Sequence, residues 1–483
     1  ADQARRQARP RGVRPLLASA LVALVPALSA CRSLDPEVRT PAAAFPDTYS
    51  RRPERTVEAP DRWWEAFASD ELDRLVAAAL ATNLDLTAAW ARLQQAQAQA
   101  VKAGAAGALN LEGRIDRGRT TVVDGSDREF THSYGLGLTL GWEADLWGRI
   151  NAGEQAAVAA RDASQADLRA TALALSGNVV DAWVQLQAGN AEIALIQEQV
   201  KTNRQRLDIL RGRRRKALSS SLDVLQQRQT LAAAQALLPP LREQRELLLD
   251  RLALLLAQEP GSLAVAVRPL PELPPLPAPG LPADLLARRP DIQAAFLRLQ
   301  AGDWDVTAAR ADRLPALRLT GSASAESAHL DELFDDWIAR LAGGLVAPLL
   351  DGGRRRSEVA RARAVVDERL VAYHRAVLAA VHEVEAALVA ERHQREQLAQ
   401  TQAQLALAQR TRSEADRRYR NGVTDYITVL SAVAAVQRLE RERLRVRARL
   451  LRTRITLYKA LGGAWPSELQ PPAENVKEEP AHE

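Results

Sequence analysis

The chain contains one unit twice, and that repeat limits its fold more than any other feature. Leu84-Asp85-Leu86-Thr87-Ala88-Ala89-Trp90-Ala91-Arg92-Leu93-Gln94 returns as Pro290-Asp291-Ile292-Gln293-Ala294-Ala295-Phe296-Leu297-Arg298-Leu299-Gln300, 206 residues on. Gly148-Arg149 returns as Gly353-Arg354 and Val224-Leu225 as Val429-Leu430, both at an offset of 205. Each copy reads, in order, as a helix, two strands, a very long helix and a shorter return helix. Repeat 1 covers residues 66–258, with its strands within 109–142, its long helix at 149–215 and its return helix at 222–258. Repeat 2 covers 283–463, with strands within 314–349, a long helix at 354–420 and a return helix at 424–462. The connector 259–282 includes Pro274-Pro275-Leu276-Pro277-Ala278-Pro279 and is expected to be extended and semi-rigid. The charged tail 464–483 is expected to fray.

The strands are the most diagnostic part. Tyr134, Leu136, Leu138, Leu140 and Trp142 alternate with Gly135, Gly137, Thr139 and Gly141, a period of two with large apolar residues on one face. Leu341, Gly343, Leu345, Ala347 and Leu349 repeat the pattern more weakly. A soluble sandwich strand alternates in the same way, but nine or so residues is also the length of a tilted strand that crosses a bilayer. The export leader described below favours the bilayer, with Tyr134, Leu136, Leu138, Leu140 and Trp142 facing lipid. Four strands cannot close a barrel alone, and open edges are not tolerated in lipid, where each unpaired N–H or C=O is strongly destabilising. The barrel must therefore be shared, giving eight strands from two chains or twelve from three. Glycine on the inner face favours the wider, open version.

No proline interrupts 149–215 or 354–420, so each can be a single helix of ~100 Å at 1.5 Å per residue. Val366, Leu370, Tyr373, Val377, Val381, Val384 and Leu388 advance in steps close to 11 residues per three turns, whereas Leu398 and Leu405 are a heptad apart. Such a change of regime suits a helical tube whose wall alters its taper. Gly422 supplies the positive φ that ends the second long helix, and Thr424 is expected to cap its return helix. Pro239-Pro240 has no counterpart in repeat 2, and a break is expected there.

Residues 1–30 read as an export signal, with an arginine-rich start and an apolar run from Leu16 through Ala30 that is too short to span a bilayer. The absence of an initiating methionine suits a trimmed sequence. Leu28-Ser29-Ala30-Cys31 resembles the lipobox of bacterial lipoproteins. That resemblance implies acylation of Cys31, the sole cysteine, with 31–65 as a lipidated N-terminal segment; Arg32 after the cysteine implies the outer membrane. Each buried acyl CH₂ contributes about 0.8 kcal/mol, so two or three chains make a stable anchor. Of the formal charge of +5, +4 lies before residue 31, so the basic balance is no nucleic-acid footprint and no nucleic-acid partner is expected.

Catalytic patterns are missing. His382-Glu383-Val384-Glu385-Ala386 does not place a second histidine for zinc, no lysine-bearing phosphate loop occurs, and Gly135-Leu136-Gly137 lies within strand alternation. There is no Gly-x-Ser-x-Gly elbow. The chain is expected not to be an enzyme, with no metal and no cofactor beyond the covalent lipid on Cys31.

Leu285-Leu286-Ala287-Arg288-Arg289-Pro290-Asp291-Ile292, Pro348-Leu349-Leu350-Asp351-Gly352-Gly353-Arg354 and Arg418-Tyr419-Arg420-Asn421-Gly422-Val423-Thr424-Asp425-Tyr426 resemble the signatures of TolC-like outer membrane factors. Glu143-Ala144-Asp145-Leu146-Trp147-Gly148-Arg149 resembles the second of these in the first copy. With the lipobox, the resemblance is to the NodT-type efflux lipoproteins of RND systems. It implies a mostly α fold with a transmembrane β part: a homotrimer that shares a twelve-stranded β-barrel in outer membrane lipid above a long α-helical coiled-coil barrel. The partners it implies are a periplasmic adaptor (membrane fusion) protein and an RND-type inner-membrane transporter. The function it implies is passive export of drugs or other small toxic compounds. Gly148, Gly352 and Gly353 fall at the strand-to-helix turns. The periplasmic aperture falls at Ile427 and at Ser431, where the family carries an aspartate; Arg420, Asp425 and Tyr426 are candidates for a gate latch. Alternatives are a conduit for protein secretion or heavy-metal efflux, or a non-conducting lipid-anchored coiled-coil scaffold.

Overall fold

The structure is a computed structural model that describes residues 48, 49, 57, 62–124, 126–463 and 469. The leader, Cys31, most of 31–65 and nearly all of the tail lie outside the described residues. In chain order the elements are α1 (Asp70–Thr82), α2 (Leu84–Ala105), β1 (Asn110–Asp124), β2 (Asp127–Ala144), α3 (Arg149–Arg215), α4 (Ser221–Ala236), α5 (Leu238–Leu255), α6 (Leu285–Arg288), α7 (Pro290–Ala311), β3 (Ala316–Ser327), β4 (Trp337–Val346), α8 (Arg354–Arg420) and α9 (Tyr426–Ala460). The repeat is visible in this order: α3 and α8 are both 67 residues long, and α2 and α7 both 22. The copies part at β2 and β4, with 18 residues against 10, and after α4. There Leu237 separates two helices, and Pro239 and Pro240 fall in the first turn of α5, where a missing N–H breaks no helical hydrogen bond. Its counterpart α9 runs unbroken for 35 residues. No helix among the described residues is long and apolar enough to cross a membrane.

The described residues form two compact units. One holds 95–161 and 297–371. Its sheet is antiparallel in the order β1-β2-β3-β4, so β1 and β4 are both open edges. Paired residues of an antiparallel sheet share a face, and the register sorts most of the sheet by polarity, with Ile338 opposite Ser324 and Arg117 opposite Tyr134 as exceptions. Leu136 pairs with Ile115 and Ala325, Leu140 with Leu111 and Gly321, and Leu319 with Trp142 and Gly343. The opposite face carries Glu112, Arg114 and Asp116 of β1, Gly135, Gly137 and Thr139 of β2, Thr320, Ser322 and Ser324 of β3, and Arg340 of β4. Along the first turns of α8 the same unit packs Leu299 and Val306 of α7 against Ala362 and Val366. Gly302 permits that approach, since a Cβ there would stand 3.0 Å from Val366 Cγ2.

The second unit holds the remaining described residues. Its core gathers Trp63, Leu72, Val76, Val179, Trp183, Leu252, Ile455 and Tyr458, with Trp63 stacked on Tyr458 at 5.4 Å. A smaller cluster joins Leu285, Ile292, Tyr373, Val377, Val384 and Leu457. The connector is extended and held by side chains. Gln187 accepts from Arg268 N at 2.9 Å and donates to Ala266 O at 3.0 Å. Arg454, fully buried, pairs with Glu391 at 2.7 Å and donates to the Pro274 carbonyl.

Candidate functional site

Two hairpin turns join the long helices to their return helices, and both lie in the second unit. Their backbones match. Leu218 N donates to Arg213 O and Val423 N to Arg418 O, each at 2.9 Å, with Ala217 (φ 56°) and Gly422 (φ 73°) in the left-handed region. The caps differ. Ser220 accepts from Asp223 N at 3.1 Å, and Ser220 N donates to Asp223 Oδ2 at 3.0 Å, a reciprocal capping box. Thr424, the expected cap of α9, stands one residue too early. The cap position falls to Asp425, whose side chain makes no cap bond, while Thr424 Oγ1 donates to Thr428 Oγ1 at 3.0 Å.

Tyr426 opens α9 and is buried. Its hydroxyl donates to Gln227 Oε1 at 2.6 Å, and Gln227 Nε2 donates to Asn203 O at 2.8 Å, so a return helix of repeat 2 is tied to both helices of repeat 1. Arg206 of α3 grips Asp416 of α8 with two hydrogen bonds of 3.1 Å. The Tyr419 ring lies 5.3 Å from that of Tyr426 and beneath the Arg213 guanidinium at 5.2 Å. Leu207, Leu210, Val224, Val429 and Val433 fill the space between the four helices. Burial, above all, pushes the Tyr426 hydroxyl up to about 12, with nearby Arg206 pulling it down. Because the folded value lies above the unfolded one, the neutral phenol persists at every physiological pH. Its contribution to stability is constant below pH 10 and falls only as pH rises toward 12.

Of the tip residues singled out from sequence, Tyr426 is therefore the one whose side chain is bonded to another helix. Arg420 and Asp425 are exposed, and their side chains make no hydrogen bond or ion pair among the described residues. Ile427 is 49% exposed, and Ser431 Oγ turns back to its own helix, donating to Ile427 O at 2.9 Å. Gln227, Asn203, Arg206, Asp416, Tyr419 and Arg213 were not picked out by the sequence reading. The sequence holds one trace of Gln227, which stands one turn after Val224 where the other copy has Ala432 after Val429; its burial shows only in the packing.

At the sheet, Tyr134, Leu136, Leu138, Leu140 and Trp142 all share the apolar face. The eight steps from Tyr134 to Trp142 cover about 27 Å of strand, or ~20 Å of depth at a tilt near 40°, close to the apolar band of an outer-membrane barrel. Arginines cover aromatic rings at the far end, Arg117 over Tyr134 at 5.7 Å and Arg119 over Phe130 at 4.2 Å. The strand-to-helix turns use Gly148 (φ 73°), Gly352 (φ 64°) and Gly353 (φ 85°), where a side chain would be strained. Two carboxylates that stand in the quoted motifs, but to which the sequence assigned no role, complete them. Asp145 accepts from Ile150 N and Asn151 N at 3.1 and 2.8 Å, and Asp351 from Gly353 N and Arg355 N at 3.0 and 3.1 Å. Those bonds hold the Asp351 carboxyl below its usual range, the Arg355 N–H bond contributing most. No group of three metal-ligating side chains occurs among the described residues.

A sheet apolar on one face and polar on the other, joined to two 67-residue helices, defines a membrane channel protein of the β-barrel and coiled-coil type. The chain belongs to the outer membrane efflux protein family, whose profile matches residues 75–258 and 281–463, one match in each repeat. It is 34% identical over 420 residues to the pyoverdine export outer membrane protein OpmQ of Pseudomonas putida, covering 84% of this chain and 89% of that one. It is 30% identical to the outer membrane protein OprJ of Pseudomonas aeruginosa, covering 92% and 95% respectively. The solved structure of the outer-membrane channel OprN superposes with a TM-score of 0.83 at 28% identity, covering 90% of this chain and 99% of that one. The protein is an outer-membrane efflux channel of the TolC-like fold, from a transport family rather than a catalytic one.

Proposed function

We propose that three copies of this chain close one twelve-stranded barrel and form a passive duct. The observation that carries the reading is the pair of open edges on a sheet with one apolar face. In lipid, those edges must be paired, and other copies supply strands of matching length and polarity. A non-conducting scaffold leaves that face without a purpose. Cys31 carries the lipid that anchors the protein in the outer membrane after the leader is removed. The tip at Ile427 and Ser431 narrows the duct, and Arg420 and Asp425 reach a neighbouring copy as the outer part of its latch. A periplasmic adaptor protein and an RND-type transporter deliver cargo and supply the energy, with Arg417 and Arg418 on the docking surface. Cargo consists of small organic molecules, drugs or other toxic compounds among them; OpmQ is named for export of pyoverdine.

Purified protein in planar lipid bilayers should give discrete conductance steps. A folded, inserted protein that never conducts would contradict the duct.

A further inference from the structure

The turn between α3 and α4 carries charge that the fold does not consume. Five of the six residues from Arg211 to Lys216 are basic, although the chain beyond Cys31 is almost neutral. Arg211 pairs with Asp208 at 3.2 Å, and Arg213 covers Tyr419. Arg214, Arg215 and Lys216 are exposed, and their side chains make no hydrogen bond or ion pair among the described residues. Asp223, the carboxylate that follows, is held in the Ser220 capping box.

The second turn does not offset this charge. Arg417 and Arg418 share Glu414, Asp416 is taken by Arg206, and the exposed Arg420 and Asp425 balance one another. Helix dipoles do not decide the sign either. Each turn joins the negative end of one helix to the positive end of the next, so their partial charges largely cancel.

We propose that Arg214, Arg215 and Lys216 form a cationic collar at the entrance of the duct and that the channel selects anions, with small organic anions as its preferred cargo class. The inference rests on the duct reading, which places both turns at the mouth and repeats the collar in every copy. Charges within a Debye length of ~8–10 Å of the axis act on every permeating ion. A mouth potential of only one kT raises anions and lowers cations enough for a permeability ratio of roughly sevenfold.

The test is the reversal potential of single channels across a KCl gradient at low ionic strength. The wild type should favour chloride over potassium severalfold, and the preference should weaken as salt rises. Arg214→Gln with Arg215→Gln and Lys216→Gln should bring the ratio close to one while the oligomer and its conductance persist. A conducting wild type that favours potassium or neither ion overturns the inference and leaves the duct intact. So does a triple variant that keeps the anion preference, since the selecting charge would then lie elsewhere. A protein that inserts but does not conduct overturns the duct reading and this inference with it.

Discussion

The turn at Ala217 and the turn at Gly422 close with equivalent backbone hydrogen bonds 205 residues apart, yet they are held by different means. The first is self-sufficient, because the Ser220 and Asp223 box satisfies its helix start locally. The second has no cap of its own and borrows its order from repeat 1, through Tyr426 on Gln227 and Asp416 on Arg206. Duplication thus produced one hairpin that is fixed and one that is tethered. The tethered one bears the exposed Ile427 and Ser431, so the residues of the proposed aperture stand where the bonds are few and breakable.

The largest expected effect comes from cutting the tethers. Arg206→Ala removes a pair of charged hydrogen bonds between groups each 22% exposed, and Tyr426→Phe orphans the buried Gln227 oxygen. Each change is worth about 1–3 kcal/mol, and every 1.4 kcal/mol is about tenfold in an equilibrium. The double variant should therefore raise open probability in bilayers at least tenfold, whereas unchanged gating would show that the tethers are only structural. Next comes the backbone. Gly422→Ala should cost about 1–2 kcal/mol at its left-handed φ, read as a lower melting temperature or faster proteolysis at the second turn. Ala217→Gly, at the matched position, should change stability by less than about 1 kcal/mol, because relief of strain is offset by a more flexible unfolded chain. The smallest effect sharpens the contrast in caps. Ser220→Ala should lower stability by about 1 kcal/mol, and Asp425→Ala, which loses no cap bond, by far less; equal losses would mean that the turns are held alike.

The fold class was legible because it is written in period. Strand alternation at Tyr134 through Trp142 and long proline-free helical stretches need no third dimension to be recognised. The ends of elements were harder to read. The last strand, expected near 341–349, runs Trp337–Val346, since its span is set by pairing with β3 and Pro348 has no N–H to offer a neighbour. At the tip, Tyr426 was legible as a residue but not as a tether. Its partner Gln227 lies 199 residues away, and only packing shows that a glutamine can be buried there. Asp145 and Asp351 stand in the motifs, but their role went unread for a similar reason. The glycines beside them announce the turns, but the carboxylates matter only once the helix N–H groups converge on them.

The central claim is that the two open edges of the sheet pair between copies. With Cys31 replaced by serine, Ile115→Cys on β1 should be combined in turn with Ala339→Cys, Leu341→Cys and Gly343→Cys on β4, all residues of the apolar face. After oxidation in membranes, one of these registers should give a ladder of monomer, dimer and trimer that ends at trimer. A ladder that ends at dimer or extends beyond trimer, or the absence of cross-links in every register, would contradict a barrel shared by three chains.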